Sequence, residues 1–110
     1  METKTFNKVE IQGFLGKDAT IRSFDNGRTL VNISVATDES YKNTVGEWVK
    51  NTTWHNVACW KSKNDQVEDF LKKGNLVTVS GKLKTRKYTD KEGKERYITE
   101  IVAQKIEQVA

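Results

Sequence analysis

The chain has 110 residues, 35% hydrophobic and 31% charged, with a formal net charge of +4. That length suits one domain with one modest core, and ten aromatics among alternating apolar positions exclude a disordered chain. The absence of proline excludes collagen-like and linker-like tracts, a single cysteine excludes an internal disulfide, and no apolar run approaches the ~20 residues of a membrane span. Nothing near Met1 resembles a signal peptide, so the expected setting is reducing and cytoplasmic.

Taken in chain order, the dominant period is two, the signature of strands. In "KVEIQGFLG" (8–16), Val9, Ile11, Gly13 and Leu15 share one face. "DNG" (25–27) is a turn signal. In "RTLVNISVAT" (28–37), Val31, Ile33 and Val35 share a face, with Asn32 and Ser34 opposite. "EWVKNTTWHNVACW" (47–60) reads as one long strand. "SKNDQVEDFLKKG" (62–74) is the one helical stretch: Val67, Phe70 and Leu71 fall at i, i+3, i+4, Ser62 and Asp65 form a capping pair, and Gly74 can end it. "NLVTVSGKLKTRKY" (75–88) is the fourth strand, with Gly81 marking a bulge. A "DKEG" turn (90–93) leads into "ERYITEIVAQKIEQV" (95–109). Five strands with one helix between the third and fourth is the layout of an OB-fold, an all-β five-stranded Greek-key barrel. The expectation is a single domain over residues 1–110, with no repeat and no internal boundary.

The stretch "WHNVACW" (54–60) holds the only histidine, the only cysteine and two of the three tryptophans. Successive strand side chains point to opposite faces. The odd positions, Thr53, His55, Val57 and Cys59, end in small apolar residues suited to an interior. The even positions, Lys50, Trp54, Asn56 and Trp60, then face outward. Trp48 is the weakest member of that set, since it suits a loop cover or a subunit contact equally well.

The net charge is concentrated. From Lys82 to Arg96 seven Lys/Arg face three acids, while the rest of the chain balances at twelve against twelve. On charge alone, a solvated hairpin and a polyanion footprint are equally good accounts. Alternation separates Val77, Val79 and Leu83 from Lys82, Lys84, Arg86 and Tyr88. A cationic surface set with rings suits an unpaired nucleic-acid strand: cations track phosphates, and each base stacked on a ring contributes ~1–3 kcal/mol with little sequence preference.

The residues then meet a known pattern. "NKVEIQGFLGKD" (7–18), "NGRTLVNISVATDESY" (26–41), "TTWHNV" (52–57) and "FLKKGNLVTVSGKLKTRKYTDKEGKERYITEIV" (70–102) make the chain resemble the bacterial-type single-stranded DNA-binding proteins. The resemblance implies an OB-fold that assembles as a homotetramer and protects single-stranded DNA in replication, recombination and repair. It implies stacking at Tyr41, Trp54, Trp60 and Tyr88, and phosphate contacts at Lys8, Lys72, Lys73, Lys84, Arg86 and Lys87. Placement adds Lys50, Asn56, Lys61 and Lys63. The resemblance places His55 at a contact between subunits and implies a cytoplasmic, nucleoid-associated protein. Members usually continue into a flexible linker and an acidic tip that recruits other proteins. This sequence stops at "KIEQVA", so recruitment by that route is not expected.

Three rival classes stand beside this reading. A catalytic pair of His55 and Cys59 needs its side chains within ~3 Å, and positions four apart on a strand lie about 13 Å apart. A zinc site needs about four compactly spaced ligands, and one His with one Cys falls short; no phosphate-binding loop, dinucleotide motif or metalloprotease motif occurs. The expectation is therefore a non-enzyme with no cofactor and no metal. An OB-fold for single-stranded RNA would use the same rings. An adaptor subunit of a replication complex would not need four aromatics in those places.

Overall fold

Alternating apolar residues bury one face of a strand only when neighbouring strands close over them. The computed structural model shows how this chain does so, describing residues 4–62 and 65–109. Eight strands run in order: β1 (Val9–Leu15), β2 (Thr20–Ser23), β3 (Thr29–Asp38), β4 (Tyr41–Lys42), β5 (Trp48–Val49), β6 (Thr52–Lys61), β7 (Leu76–Thr89) and β8 (Glu95–Gln108). Six form one sheet in the order β1-β7-β8-β6-β3-β2, while β4 and β5 form a separate two-stranded ribbon. Every pairing is antiparallel except a short parallel contact of β6 with β8 at Val57↔Ile101 and Ala58↔Val102.

β1 has partners on both edges. It pairs with β7 from Val9↔Gly81 to Phe14↔Leu76, and its last residues pair with β3 at Phe14↔Ala36 and Leu15↔Val35. The ladder β1-β7-β8-β6-β3 therefore comes back on β1. Gly13 permits this turn of the sheet, since a Cβ there would lie 2.2 Å from the Ala36 carbonyl oxygen. Inside the circuit sit Leu15, Val31, Ile33, Val35, Val57, Cys59, Leu71, Val77, Val79, Ile101 and Ala103, with Val67 and Phe70 packed against them. The strand residues among these lie on the faces that the alternation selects, but Leu83, which alternation groups with Val77 and Val79, is exposed.

Two expectations fail. The stretch 47–60 is not one strand. Asn43 folds a hairpin in front of it: its N–H donates to the Glu47 carbonyl (2.9 Å), and its side-chain oxygen accepts from the N–H groups of Val45 (3.1 Å) and Glu47 (2.9 Å). Trp48 and Val49 fold back on Tyr41 and Lys42 as the ribbon, and β6 begins only at Thr52.

The expected helix over 62–74 does not form among the described residues, which show turns and irregular chain there. Its backbone groups go to distant partners instead. Ala19 N–H donates to the Leu71 carbonyl (3.0 Å), Lys73 N–H to Asp18 Oδ1 (2.8 Å), Gly74 N–H to the Leu15 carbonyl (2.8 Å), and Leu15 N–H to the Asn75 carbonyl (3.0 Å). A helix of about 12 residues is marginal by itself, and these long-range bonds hold the segment in another path. The capping contact does form, with Ser62 N–H donating to Asp65 Oδ2 (2.8 Å), but no helix follows it. The apolar trio still faces the core, so the pattern gives the buried residues correctly and their conformation wrongly.

Candidate nucleic-acid interface

β6 supplies the centre of the outward surface. Trp54, Asn56 and Trp60 are exposed on one face, and Val57 and Cys59 are buried on the other. The register sets Trp54 opposite Ala36, Asn56 opposite Ser34, Ala58 opposite Asn32 and Trp60 opposite Leu30. Through β8 the same face continues to β7, where Lys82 pairs with Val102, Lys84 with Glu100, Arg86 with Ile98 and Tyr88 with Arg96. A groove of about 600 Å³ crosses this surface, lined from β2 to β7 by residues that include Arg22, Arg28, Trp60, Lys82, Lys84 and Arg86. A smaller recess beside it is lined by Lys17, Asn56 and again Arg86.

The rings are not equivalent. Trp54 is 58% exposed, and its ring lies against the backbone of Gly16, where a Cβ would sit 2.3 Å from Trp54 Cζ3. Glycine there gives the indole a flat backing without closing its outer face. Trp60 is 41% exposed and carries the Arg28 guanidinium 4.5 Å over its ring. Six strand positions separate the two tryptophans by about 20 Å, too far for one base to be sandwiched between them. Tyr88 lies at the far end of β7, with the Arg86 guanidinium 5.9 Å from its ring centroid. Tyr41 belongs to the β4–β5 ribbon and is half exposed.

The cations divide similarly. Lys84, Arg86 and Lys87 are exposed on β7; Arg86 Nε donates to Glu100 Oε1 (3.0 Å) and Lys87 pairs with Glu95 (2.8 Å). Lys8, Lys50, Lys72, Lys73 and Lys87 are exposed but do not line the groove, Lys87 because its parity on β7 sets it on the face opposite Lys84 and Arg86. Lys61 is elsewhere. As an odd-numbered residue of β6 it lies on the Cys59 side, half-buried in an ion pair with Glu68, whose carboxylate holds the ammonium above its ordinary pKa. The structure therefore engages Lys61 internally and does not present it to the groove. Lys63 lies outside the described residues.

His55 is half-buried, with Nε2 2.9 Å from Thr37 Oγ1. Cys59 sits in the core opposite Val31, and burial pushes its thiol up, away from the reactive thiolate. Among the described residues, no group of three His, Cys, Asp or Glu lies close enough to hold a metal ion. No helix among them is long and apolar enough to cross a membrane.

Arg22, Phe24, Arg28 and Lys82 line the groove without having been singled out as site residues in the sequence. Their signal is "RSFDNGR", in which two arginines flank a ring and a turn. Its meaning depends on the hairpin that brings Arg22 opposite Leu30, the cross-strand neighbour of Trp60.

A β-sheet with outward rings among cations defines a nucleic-acid-binding protein suited to unpaired bases. The model of the single-strand binding protein family matches residues 6–109, and the chain belongs to that family. Among solved structures, it is similar to the Plasmodium falciparum SSB in complex with ssDNA, with a TM-score of 0.85, 27% identity and 100% of each chain covered. A deletion mutant of the single-stranded DNA binding protein from Thermus aquaticus shares the fold, with a TM-score of 0.80 and 22% identity over 96% of this chain and 51% of that one.

Proposed function

We propose that the chain coats single-stranded DNA with little sequence preference, stacking bases on Trp54, Trp60, Tyr88 and Tyr41 and holding phosphates with cations led by Lys84, Arg86 and Lys87. The observation that carries this reading is the outward placement of Trp54 and Trp60 on one face of β6, level with the basic half of β7. In duplex DNA the base faces are already stacked, and these rings would have little to cover. A strand so held is protected while it is unpaired, which suits replication, recombination and repair in the cytoplasm, at the nucleoid.

The return of the strand ladder on β1 supports a five-stranded OB barrel of Greek-key type. The core position of Cys59 supports binding without chemistry. Exposed Phe6, Leu83 and Tyr97 supply apolar surface for assembly into a homotetramer, with His55 near a contact between copies.

The test is a titration with oligo(dT), poly(U) and duplex DNA at two salt concentrations, read by tryptophan fluorescence. Quenching by oligo(dT), with log affinity falling at a slope near −0.7 per phosphate contacted, is the expected result. Preference for duplex DNA would overturn the stacking mechanism, and equal or tighter binding of poly(U) would redirect the reading to RNA.

A further inference from the structure

The end of the groove beside β2 is more ordered than a stacking surface requires. The Arg22 guanidinium lies 5.1 Å over the Phe24 ring. The Phe24 and Trp60 ring centroids are 5.6 Å apart, tilted by 37°. The Arg28 guanidinium lies 4.5 Å over the Trp60 ring. These residues come from β2, the β2–β3 turn and β6, and the turn holds its shape through Gly27 at φ 83° and the Phe24 N–H donating to the Arg28 carbonyl (2.8 Å). Rings and guanidinium groups therefore form a preset ladder.

The ladder creates a conflict at Trp60. A guanidinium is attracted to an indole face by the ring's quadrupole, and a base stacks by covering such a face. Arg28 and a base cannot occupy one face together. Trp54 has no such cover, since its ring is backed by Gly16 and is otherwise open.

We propose that Arg28 is a gate on a nucleotide subsite formed by Trp60, Phe24 and Arg22. In the free protein its guanidinium occupies the Trp60 face. An arriving single strand places a base there, and the guanidinium transfers to a phosphate of the same strand. The exchange favours the strand because a guanidinium–phosphate contact is charge-assisted and can be bidentate. It also selects the ligand: a nucleotide brings both the base that takes the ring and the phosphate that takes the arginine, whereas a base without phosphate must displace Arg28 with nothing to receive it. This inference rests on the single-strand reading above.

The test uses a W48F/W54F background, in which Trp60 is the only tryptophan, with and without R28A, and measures oligo(dT) binding across salt concentrations. Trp60 emission should be quenched by DNA in both proteins. R28A should lower the salt slope by about 0.7, so that a tenfold rise in salt changes the ratio of the two affinities by about fivefold in favour of R28A. The two curves should cross, with R28A the tighter binder at high salt, because its ring needs no uncovering. An unchanged slope would mean that Arg28 never reaches a phosphate, and an equal loss at every salt would mean that it only props the ring. Either overturns the gate, as would bound DNA that leaves Trp60 emission unaltered. Failure of the unsubstituted protein to bind oligo(dT) at all would instead remove the single-strand reading and the gate with it.

Discussion

The two halves of β7 pair with the same strand and do opposite things. From Leu76 to Gly81, half-buried and buried residues alternate, with Val77 and Val79 fully enclosed; from Lys82 to Thr89 every residue is exposed. The difference lies in the neighbours. The first half has β8 on one edge and β1 on the other, so one face is roofed by the rest of the circuit. The second half has β8 alone, beyond a last clasp in which Asn7 exchanges hydrogen bonds with the Leu83 backbone. Gly81 divides them: the register slips between Ser80 and Gly81, and a Cβ at Gly81 would lie 2.0 Å from the Val102 carbonyl oxygen. A strand flanked on both sides builds core, while a two-stranded arm leaves its side chains open to solvent. Cross-strand pairs hold the arm together, among them Thr85 with Thr99 (2.8 Å) and Arg86 with Glu100.

The comparison breaks most directly at its hinge. Gly81→Ala should push β7 off β8 and lower stability by about 3 kcal/mol, measured by urea unfolding; a loss under about 0.5 kcal/mol would show that the close approach is not needed. In the arm, Tyr88→Ala should weaken oligo(dT) binding by ~1–3 kcal/mol while leaving the unfolding midpoint in place. A shifted midpoint would make Tyr88 a structural residue and erase the contrast. Removing Lys84 and Arg86 together should reduce the salt slope by about 1.4, one increment of about 0.7 for each phosphate lost; a parallel displacement of the binding curve would assign them elsewhere.

Lys61 sharpens the comparison from the buried side. Lys61→Met should cost about 1 kcal/mol by stranding the Glu68 carboxylate, with no change in DNA affinity. The Lys61 pKa is raised by Glu68, so this contribution is complete below the ordinary lysine range and is lost as pH rises through the raised value. The wild-type advantage over Lys61→Met in melting temperature should therefore fade only in strong alkali.

The smallest effect is expected at the tip of the arm. There the Arg96 guanidinium and the Lys94 and Glu92 N–H groups lower the Asp90 pKa. Its contribution is present above the ordinary carboxylate range and disappears as pH falls through the lowered value. Asp90→Asn should lower the melting temperature slightly at neutral pH and flatten its acid dependence, so that the two proteins converge as pH falls.

Much of this molecule follows from a property that one strand carries alone. Successive side chains point to opposite faces, so Val31, Ile33 and Val35, or Trp54 against Cys59, are assigned without knowing their neighbours. Parity even places Lys61 on the inner side, although the basic residue type argues for a phosphate contact. Gly81 as a bulge was equally local, because a missing side chain within a strand marks a close approach.

Tertiary structure decided the features that depend on partners distant in sequence. Residues 65–75 leave the helical path because Asp18, Ala19 and Leu15 take up their backbone bonds, and no pattern within the segment records that. Glu68 claims Lys61 because the same chain path carries it there. Arg28 reaches Trp60 because the β2–β3 hairpin and the β3–β6 register bring the turn beside residue 60. Alternation is fixed by the geometry of a single strand, whereas pairing is fixed only when the sheet closes, and that closure brings arginines and rings from separate segments together.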